Sequence, residues 1–521
     1  MRPRRLALGL TAALALLTAC TPAADDGTTA GVSTPGVPGP AAPGTLRVLA
    51  SSELTDMEPV LEQVRKDTGV TVRLTAMGTL DAVDMLAKGK TDGQYDAVWL
   101  SSNDYLRLRP EAAERVVSET PVMTSPVAIG VQTATMRKLG WQPAEVTWSQ
   151  VERAVAAGQL TYGMTDPARS NSGFATLVSV ASALSGAQAA LTDADVAEAR
   201  PRLKEFFQGQ QLTSGSSGWL AAAYERRGTV DALLNYESVL KGIDGLTVIR
   251  PRDGVVTADY PLSSLTATSA ATREDVRAVA DALRTPARQR QITETTLRRP
   301  VVASVAPAAG LDPERRRELP FPGTRSVADG LLDSYENELR RPSRTVYVLD
   351  TSGSMKGDRL DRLKTALTGL TGDFREREEV TLMPFGSEVK SVRSHVVDPS
   401  DPRRGLTAIR ADTDALTASG DTAVYTSLEK AYDHLGTGQD TFTSIVLMTD
   451  GENTTGADAA DFDGFYRALS RDRRQIPVFP IVFGDSDRAE LAHLAELTGG
   501  RLFDAQQGSL DGAFEEIRGY Q

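Results

Sequence analysis

The sequence predicts an α/β fold, with a two-lobed module followed by a doubly wound domain whose mostly parallel sheet has helices on both faces. Short apolar runs alternate with amphipathic stretches along most of the chain, a pattern typical of strand–helix units. Several of these runs end in hydroxyl or acidic residues, at the sheet edge where ligands bind in α/β folds. The 521 residues are 40% hydrophobic and 24% charged, enough for about three or four globular domains.

The last third of the chain shows the alternation most clearly. Apolar residues spaced three and four apart predict an amphipathic helix that carries Leu360, Leu363, Leu367, Leu370 and Phe374. Strands are predicted at Val380–Phe385, Ile445–Thr449, Pro477–Phe483 and around Leu502–Phe503, and helices at Thr426–His434, Asp461–Ser470 and Arg488–Leu497. Buried strands that alternate with helices favour a mostly parallel sheet.

An Asp-x-Ser-x-Ser turn follows the first apolar run of this region, Val346–Leu349, and presents Asp350, Ser352 and Ser354. Hydroxyl and carboxylate oxygens on alternate residues of a tight turn are ligands that hard divalent cations prefer. Two later residues strengthen the signal. Thr422 lies in a loop before a predicted helix, and Asp450 ends another apolar run directly before a glycine.

These five residues match the metal-ion-dependent adhesion site of von Willebrand factor A domains, and the resemblance covers about Arg344 to Gln521. It implies that Ser352, Ser354 and Thr422 coordinate Mg²⁺ directly, while Asp350 and Asp450 hold it directly or through water. An acidic side chain of a protein partner would complete the coordination. Asp421 stands where many family members carry glycine, which would favour Mn²⁺ or Ca²⁺ instead. A metal that only stabilises the loops, or no bound metal at all, remains the alternative.

The N-terminal sequence predicts where in the cell the protein is located. A basic start and an apolar run from Leu6 to Ala19 indicate a signal peptide over residues 1–19. Leu17-Thr18-Ala19-Cys20 resembles a bacterial lipobox, which implies lipidation at Cys20, the only cysteine. Residues 20–44 form a linker rich in proline and glycine. The chain is therefore expected at the cell membrane, lipid-anchored on the extracytoplasmic face.

Residues 45–325 form the predicted two-lobed module. Leu46–Ala50, Val70–Ala76 and Tyr95–Leu100 are predicted strands, and Thr55 with Glu58 fits a helix capping box. The first and third strands end in small polar residues. These candidate ligand contacts are Ser51, Ser52, Ser101, Ser102 and Asn103. The pattern resembles the first lobe of a periplasmic-type solute-binding protein, although a hydroxyl at a strand end can equally cap the next helix.

A second lobe is predicted at about residues 124–255. Its loop Thr165–Gly173 opens a helix near Phe174 and offers Arg169, Ser170 and Ser172 as contacts for a small-molecule or anionic solute. The return crossing to the first lobe is predicted near Asp259–Leu262. Residues 326–343 form a connecting segment that contains a helix at Val327–Leu339, and the metal domain follows at 344–521.

Catalytic signals are few. The three histidines show no metal-binding spacing, and nucleophile-elbow, Walker and dinucleotide motifs are missing. The net charge of −12 disfavours nucleic acid and anionic lipid as partners. We therefore expect no enzyme but a membrane-anchored protein that binds a partner through its metal site, with the two-lobed module as spacer or sensor. The alternative is a solute receptor for a transporter or signalling system, whose last domain reports occupancy.

Overall fold

The structure, a computed structural model, describes residues 44–228, 230–370, 377–436, 441–482, 488–504 and 517. The predicted signal peptide, Cys20 and nearly all of the linker lie outside these residues, as do Phe374 and Phe483 at the ends of two predicted elements. Within the described ranges, no helix has both the length and the apolar character needed to span a bilayer.

The N-terminal part alternates strands and helices as predicted. Its strands are β1 (Thr45–Ser51), β2 (Thr71–Met77), β3 (Ala97–Trp99), β4 (Val116–Pro121), β5 (Met123–Gln132), β6 (Tyr162–Thr165), β7 (Gln210–Ser214), β8 (Ala232–Tyr236), β9 (Leu246–Ile249), β10 (Thr257–Ala258), β11 (Pro261–Leu265) and β12 (Arg299–Pro300). Its helices are α1 (Glu58–Thr68), α2 (Thr79–Ala87), α3 (Asp104–Arg107), α4 (Pro110–Ala113), α5 (Thr133–Leu139), α6 (Trp148–Ala156), α7 (Asn171–Ser185), α8 (Asp193–Phe207), α9 (Ser217–Arg227), α10 (Glu237–Lys241), α11 (Ala270–Leu283) and α12 (Pro286–Thr296).

These strands form two mixed sheets, one for each lobe. The first has the order β2-β1-β3-β11-β4, and the second has the order β10-β5-β8-β6-β7, with β9 and β12 also paired to β5. The chain enters the second lobe between β4 and β5 and returns between β10 and β11. The predicted two-lobed fold and the return crossing are therefore confirmed.

The predicted capping box at Thr55 and Glu58 is wrong. Residues Ser52–Met57 form a 3₁₀ helix that runs directly into α1, and the Thr55 hydroxyl donates to the carbonyl of Ser52 at 3.2 Å. The preceding 3₁₀ turn leaves no free helix end at Thr55 for a side chain to cap. A reciprocal capping box instead joins Thr147 and Gln150 at the start of α6.

The connecting segment forms helix α13 (Arg325–Ser334), which continues as a π-helical turn over Tyr335–Leu339. The predicted helix is thus confirmed. It packs on the second lobe, because the ring of Tyr335 lies edge-on to Phe207 with centroids 5.2 Å apart. The Tyr335 hydroxyl also donates to the Gln210 side-chain oxygen at 3.1 Å. The segment therefore belongs to the hydrophobic core of the N-terminal part.

The C-terminal part contains one sheet of order β15-β14-β13-β16-β17-β18, parallel except for the edge pair β14 and β15. The predicted mostly parallel sheet is confirmed. Its strands are β13 (Ser343–Asp350), β14 (Glu378–Phe385), β15 (Arg393–Val397), β16 (Phe442–Thr449), β17 (Val478–Val482) and β18 (Phe503–Asp504). Its helices are α14 (Asp358–Leu370), α15 (Pro402–Asp414), α16 (Val424–Leu435), α17 (Ala459–Ala468) and α18 (Arg488–Thr498).

The central position of strand β13 explains why its residues form a continuous apolar run in the sequence. Tyr347 and Leu349 belong to the hydrophobic cluster on one face of the sheet, and Val346 and Val348 belong to the cluster on the other. Successive side chains of a strand point to opposite faces. A strand covered by helices on both sides must therefore be apolar at every position.

Two glycines of this domain give a matched test of backbone packing. A Cβ on Gly500 would lie 1.8 Å from the carbonyl oxygen of Val478, whereas one on Gly464 in α17 would meet nothing within 4 Å. We expect Gly500→Ala to lower the free energy of unfolding by about 3 kcal/mol or more, because backbone must move to admit the methyl group. Gly464→Ala should raise it by about 0.5–1 kcal/mol through helix propensity.

Urea unfolding of the full chain, followed by circular dichroism, measures both effects. Equal effects of the two substitutions would show that the close approach at Gly500 does not exist.

Candidate functional site

The two lobes meet along the carboxyl ends of their strands. The amide of Leu80, at the start of α2, donates to the carbonyl of Arg169 in the second lobe at 3.0 Å. A Cβ on Gly78 would lie 2.5 Å from that carbonyl. The contact therefore needs a glycine at position 78, and the lobes are closed on each other at this point.

The serines predicted at the strand ends lie in this region, but several of them are hydrogen-bonded to one another or to neighbouring residues. Ser51 Oγ lies 2.9 Å from Thr79 Oγ1 and 3.1 Å from Ser101 Oγ, and it accepts a bond from the Ser101 amide at 2.9 Å. Ser102 Oγ accepts from the amide of Asp104 at 3.1 Å. These hydroxyls therefore fasten the strand ends of the first lobe together.

The second lobe shows the same arrangement. Ser172 Oγ lies 2.8 Å from Thr165 Oγ1 and 3.2 Å from Ser170 Oγ, and it accepts from Ser217 Oγ at 2.7 Å. Arg169 lies between two carboxylates, 3.6 Å from Asp81 and 3.9 Å from Asp166. This guanidinium is already neutralised, so the loop does not favour the predicted anion.

A cluster of four buried residues, Glu53, Tyr236, Tyr260 and Arg298, lies where the lobes join; we call it the cleft cluster. The rings of Tyr236 and Tyr260 have centroids 5.9 Å apart, and the Arg298 guanidinium lies over the Tyr260 ring at 5.0 Å. Arg298 also donates to the Glu53 carbonyl at 3.0 Å. Sequence patterns did not single out these residues as ligand contacts.

Several polar atoms in and beside the cleft cluster are buried without a hydrogen-bond partner. They are Ser52 Oγ, Glu53 Oε1, Tyr260 OH and Arg298 Nε. Asn103 Oδ1, from the predicted set, is also without a partner, although its Nδ2 donates to Ser263 Oγ at 3.0 Å. Buried polar atoms are almost always bonded. A group of such atoms at one junction therefore indicates a ligand or ordered water.

Burial and charge set the ionisation of this cluster. Burial raises the pKa of the Glu53 carboxyl, and the positive charge of Arg298 opposes that rise. Arg298 makes its direct ion pair with Asp56, donating from Nη1 to both carboxylate oxygens at 2.8 and 2.7 Å. Tyr260 itself has φ of 44°, a left-handed conformation that is uncommon for a bulky residue and is often found at functional sites.

The second candidate site lies at the end of β13. The Asp350 carboxylate accepts from the amide of Ser352 at 2.8 Å and from the hydroxyl of Thr449 at 2.7 Å. Ser352 Oγ lies 2.9 Å from Ser354 Oγ, and Ser354 Oγ donates to Asp450 Oδ1 at 3.0 Å. Four of the five predicted metal ligands are therefore joined through short contacts in one place.

The fifth, Thr422, is held beside them by backbone bonds. The amide of Gly353 donates to the carbonyl of Gly420 at 2.8 Å, and the amide of Thr454 donates to the carbonyl of Thr422 at 2.8 Å. The Thr422 loop is thus tied both to the serine turn and to the segment after Asp450. Its side chain is 5% exposed.

The charges of this site are only partly balanced. Burial raises the pKa of the Asp350 carboxyl, hydrogen bonds from Ser352 and Thr449 oppose the rise, and the charge of Asp450 adds to it. Arg359, which the sequence did not suggest, donates to Asp450 Oδ2 at 2.5 Å. No group of three or more His, Cys, Asp or Glu side chains suited to a metal occurs in the described part of the chain. The oxygen atoms that meet at this place belong to hydroxyls as well as carboxylates.

Fold and sites together define a class of protein: a two-lobed binding module joined to a doubly wound domain with a hydroxyl and carboxylate site. Residues 46–295 match the family described as bacterial extracellular solute-binding protein, and residues 345–452 match the von Willebrand factor type A domain. The chain thus combines a solute-binding-like module, which indicates an extracytoplasmic location, with a C-terminal von Willebrand factor A domain.

Two curated relatives each match about a quarter of the chain. An uncharacterised protein of Synechocystis is 32% identical over 122 residues, which are 23% of this chain and 28% of that protein. Inter-alpha-trypsin inhibitor heavy chain H1 of Bos taurus is 29% identical over 128 residues, which are 23% of this chain and 14% of that protein. The chain thus spans less than a third of either relative.

Solved structures resemble both parts. The periplasmic binding protein AfuA from Actinobacillus pleuropneumoniae, with fructose-6-phosphate bound, has 13% identity and a TM-score of 0.46, and covers 56% of this chain and 98% of its own. A von Willebrand factor type A structure from Catenulispora acidiphila has 18% identity and a TM-score of 0.29, and covers 34% of this chain and 42% of its own.

Proposed function

We propose that the von Willebrand factor A domain binds a divalent cation and uses it to hold an acidic side chain of a partner protein. The observation that carries this proposal is the meeting of Ser352 Oγ, Ser354 Oγ and Asp450 Oδ1 in a continuous chain of contacts of about 3 Å. Hydroxyls that contact each other and a carboxylate at the end of a strand form a compact set of oxygen donors, which suits a hard cation.

The donor set fits Mg²⁺, with Mn²⁺ or Ca²⁺ as alternatives. Asp350, Ser352, Ser354, Thr422 and Asp450 would hold the ion directly or through water. Asp421 is hydrogen-bonded to Ser387, with its Oδ2 3.3 Å from the Ser387 hydroxyl, so its carboxylate is directed to a neighbouring loop. A bound cation of this kind supplies an open coordination position for an external carboxylate. The chain's own residues position the ion and leave that position to the partner.

A second function, capture of a small solute between the lobes, is favoured by a different observation. Buried polar atoms without hydrogen-bond partners lie together at the junction of the lobes. Residues 46–295 also match a family described as bacterial extracellular solute-binding protein. The two-lobed module then acts as a receptor, and the C-terminal domain reports its occupancy to a transporter or signalling system. In both functions the chain binds and does not catalyse.

We further propose that lipid on Cys20 anchors the protein at the extracytoplasmic face of the cell membrane. The proposal rests on the sequence that ends in Leu17-Thr18-Ala19-Cys20. Two or more acyl chains are needed for stable attachment, which lipobox processing would supply.

Metal removal tests the principal proposal. In the full chain, Mg²⁺ at about 100 times its dissociation constant should stabilise the C-terminal domain by roughly 2.7 kcal/mol, and the double change Ser352→Ala and Ser354→Ala should abolish that increment. Binding to arrayed peptides that carry Asp or Glu should require Mg²⁺ and fall at least tenfold in Thr422→Ala. Matched peptides with Asn or Gln should not bind.

Thr417→Ala is the matched control, because Thr417 lies exposed in the same loop. Thermal unfolding that is identical in Mg²⁺ and in chelator would contradict metal binding. Peptide binding that survives both chelator and Thr422→Ala would contradict the carboxylate mechanism.

Arg359 provides an independent test of the same site. Its guanidinium contacts Asp450, and its side chain is 38% exposed. A positive charge beside a cation site repels the ion by about 1 kcal/mol or more near a protein surface. Arg359→Gln should therefore tighten Mg²⁺ binding by roughly fivefold to tenfold in calorimetric titration. Arg362→Gln, an exposed change on the same helix, should leave it unchanged. Weaker binding in Arg359→Gln would assign Arg359 to positioning Asp450.

The anchor has its own test. Cys20→Ala removes the only thiol that can be acylated, so the protein should leave the membrane fraction of its host or accumulate as an unprocessed precursor. Fractionation followed by mass spectrometry of the N-terminus measures this. Mature protein that stays in the membrane fraction would refute the lipid anchor.

A further inference from the structure

Glu53 in the cleft cluster is a buried carboxylate whose nearest cation is committed elsewhere. Glu53 as a whole residue is 7% exposed. Arg298 directs Nη1 to both oxygens of Asp56 and Nη2 to the backbone carbonyl of Glu53, not to the Glu53 carboxylate. One buried carboxyl group at the junction of the lobes is therefore left without a direct ion pair.

The atoms around this carboxylate have unused hydrogen-bonding capacity. Glu53 Oε1 and the hydroxyls of Ser52 and Tyr260 are buried and make no hydrogen bond of ordinary geometry, although the Tyr260 hydroxyl lies close enough to the Glu53 carboxyl to lower its pKa. A buried charge is costly unless it is paired and hydrogen-bonded. A group that brings both a positive charge and N–H or polarised C–H donors would satisfy the carboxylate and the neighbouring hydroxyls together.

Two tyrosine rings adjoin the same carboxylate. Tyr236 and Tyr260 lie 5.9 Å apart between centroids, with their planes inclined by 63°. Burial raises the pKa of both phenols most, and the negative charge of Glu53 raises it further. The second effect requires the Glu53 carboxylate to lie close to both rings. Aromatic faces beside a carboxylate are the surroundings that organic ammonium groups favour.

The wider charge balance at the junction disfavours an anion. Arg169 lies between two carboxylates, Arg298 is paired with Asp56 and bonded to the backbone carbonyl of Glu53, and the four acids named below exceed these two bases by two. The acids are Glu53, Asp56, Asp81 and Asp166, and the bases are Arg169 and Arg298. An incoming phosphate or carboxylate would meet a net negative field with no uncommitted positive charge.

We propose that the cleft cluster binds a small organic cation, with Glu53 as the counter-ion and the rings of Tyr236 and Tyr260 against the ammonium group. This inference rests on the solute-capture function given above and specifies its ligand class. Ser52 and Tyr260 contribute the hydroxyls that fix the orientation of the ligand. Arg298 is a positioning residue, which holds the Glu53 backbone and the Tyr260 ring in place.

Calorimetric titration of the purified full chain with four probes tests the ligand class. The probes are choline and putrescine as organic cations, sorbitol as a neutral polyol and inorganic phosphate as an anion. We expect choline or putrescine to bind, and Glu53→Gln to weaken that binding at least about 30-fold, because the variant keeps the shape and loses the charge. Glu58→Gln, the same substitution at an exposed position five residues later, should leave binding unchanged.

The outcomes separate the ligand class from the capture function. Binding of sorbitol or phosphate, with neither cation bound, would overturn the cation proposal while capture stands. Cation binding that is equal in Glu53→Gln and wild type would also overturn it. Absence of binding by all four probes would overturn it too, and capture would then be tested separately by native mass spectrometry of protein purified from its own host.

A ligand-free measurement checks the premise independently. If the Glu53 carboxylate lacks an ion pair, Glu53→Gln should raise the melting temperature of the free protein by about 2–4 °C. A lowered melting temperature in this variant, with Glu58→Gln unchanged, would show that Glu53 is satisfied within the chain and would overturn the proposal.

Discussion

The register of the parallel pairs in the C-terminal sheet is the constraint on which the proposed metal site depends. Strand β13 pairs with β16 so that Leu349 lies opposite Met448. The next residues along the chain, Asp350 and Thr449, therefore end their strands side by side, and Asp450 follows at once. A shift of one residue would turn every side chain of the strand to the opposite face. The hydrophobic clusters on the two faces oppose such a shift, so core packing sets the position of the carboxylates.

The junction of the two lobes is organised by hydroxyl groups. Ser51 and Ser101 bond to each other and to Thr79 in the first lobe, while Ser172 gathers three hydroxyls in the second. Each bond contributes only about 1 kcal/mol, but an unmade one in the interior costs more. These networks hold the strand ends rigidly. Glu53 and Tyr260 keep unsatisfied atoms next to that frame, so the site proposed for a solute is preorganised by the hydroxyl networks.

Local patterns were sufficient for the fold and for the proximity of the residues proposed as metal ligands. These residues lie at the ends of apolar runs, and parallel pairing brings such ends together without further information. Arg359 was missed because it reaches Asp450 from a helix, a contact 91 residues apart in sequence. Glu53, Tyr236, Tyr260 and Arg298 come from four separate segments, so their meeting follows from the tertiary fold and not from a local pattern. The capping box failed because a 3₁₀ turn precedes α1, and no residue pattern distinguished that turn from a helix start.

The short passage between the two parts of the chain has a consequence for how the domains can be exchanged in evolution or in design. The π-helical turn ends at Leu339 inside the core of the N-terminal part, and the central strand β13 begins at Ser343. Within this passage Arg341 donates to the carbonyl of Gln208 at 2.9 Å, and farther along Arg501 lies 4.0 Å from the centre of the Trp219 ring. The C-terminal domain is thus joined to the N-terminal part by side-chain contacts and not by a flexible linker alone. A recombination that replaced the C-terminal domain would have to preserve the direction in which the π-helical turn leads into β13. It would also have to preserve the cation–π contact between Arg501 and Trp219. The two parts are therefore expected to be inherited as a unit.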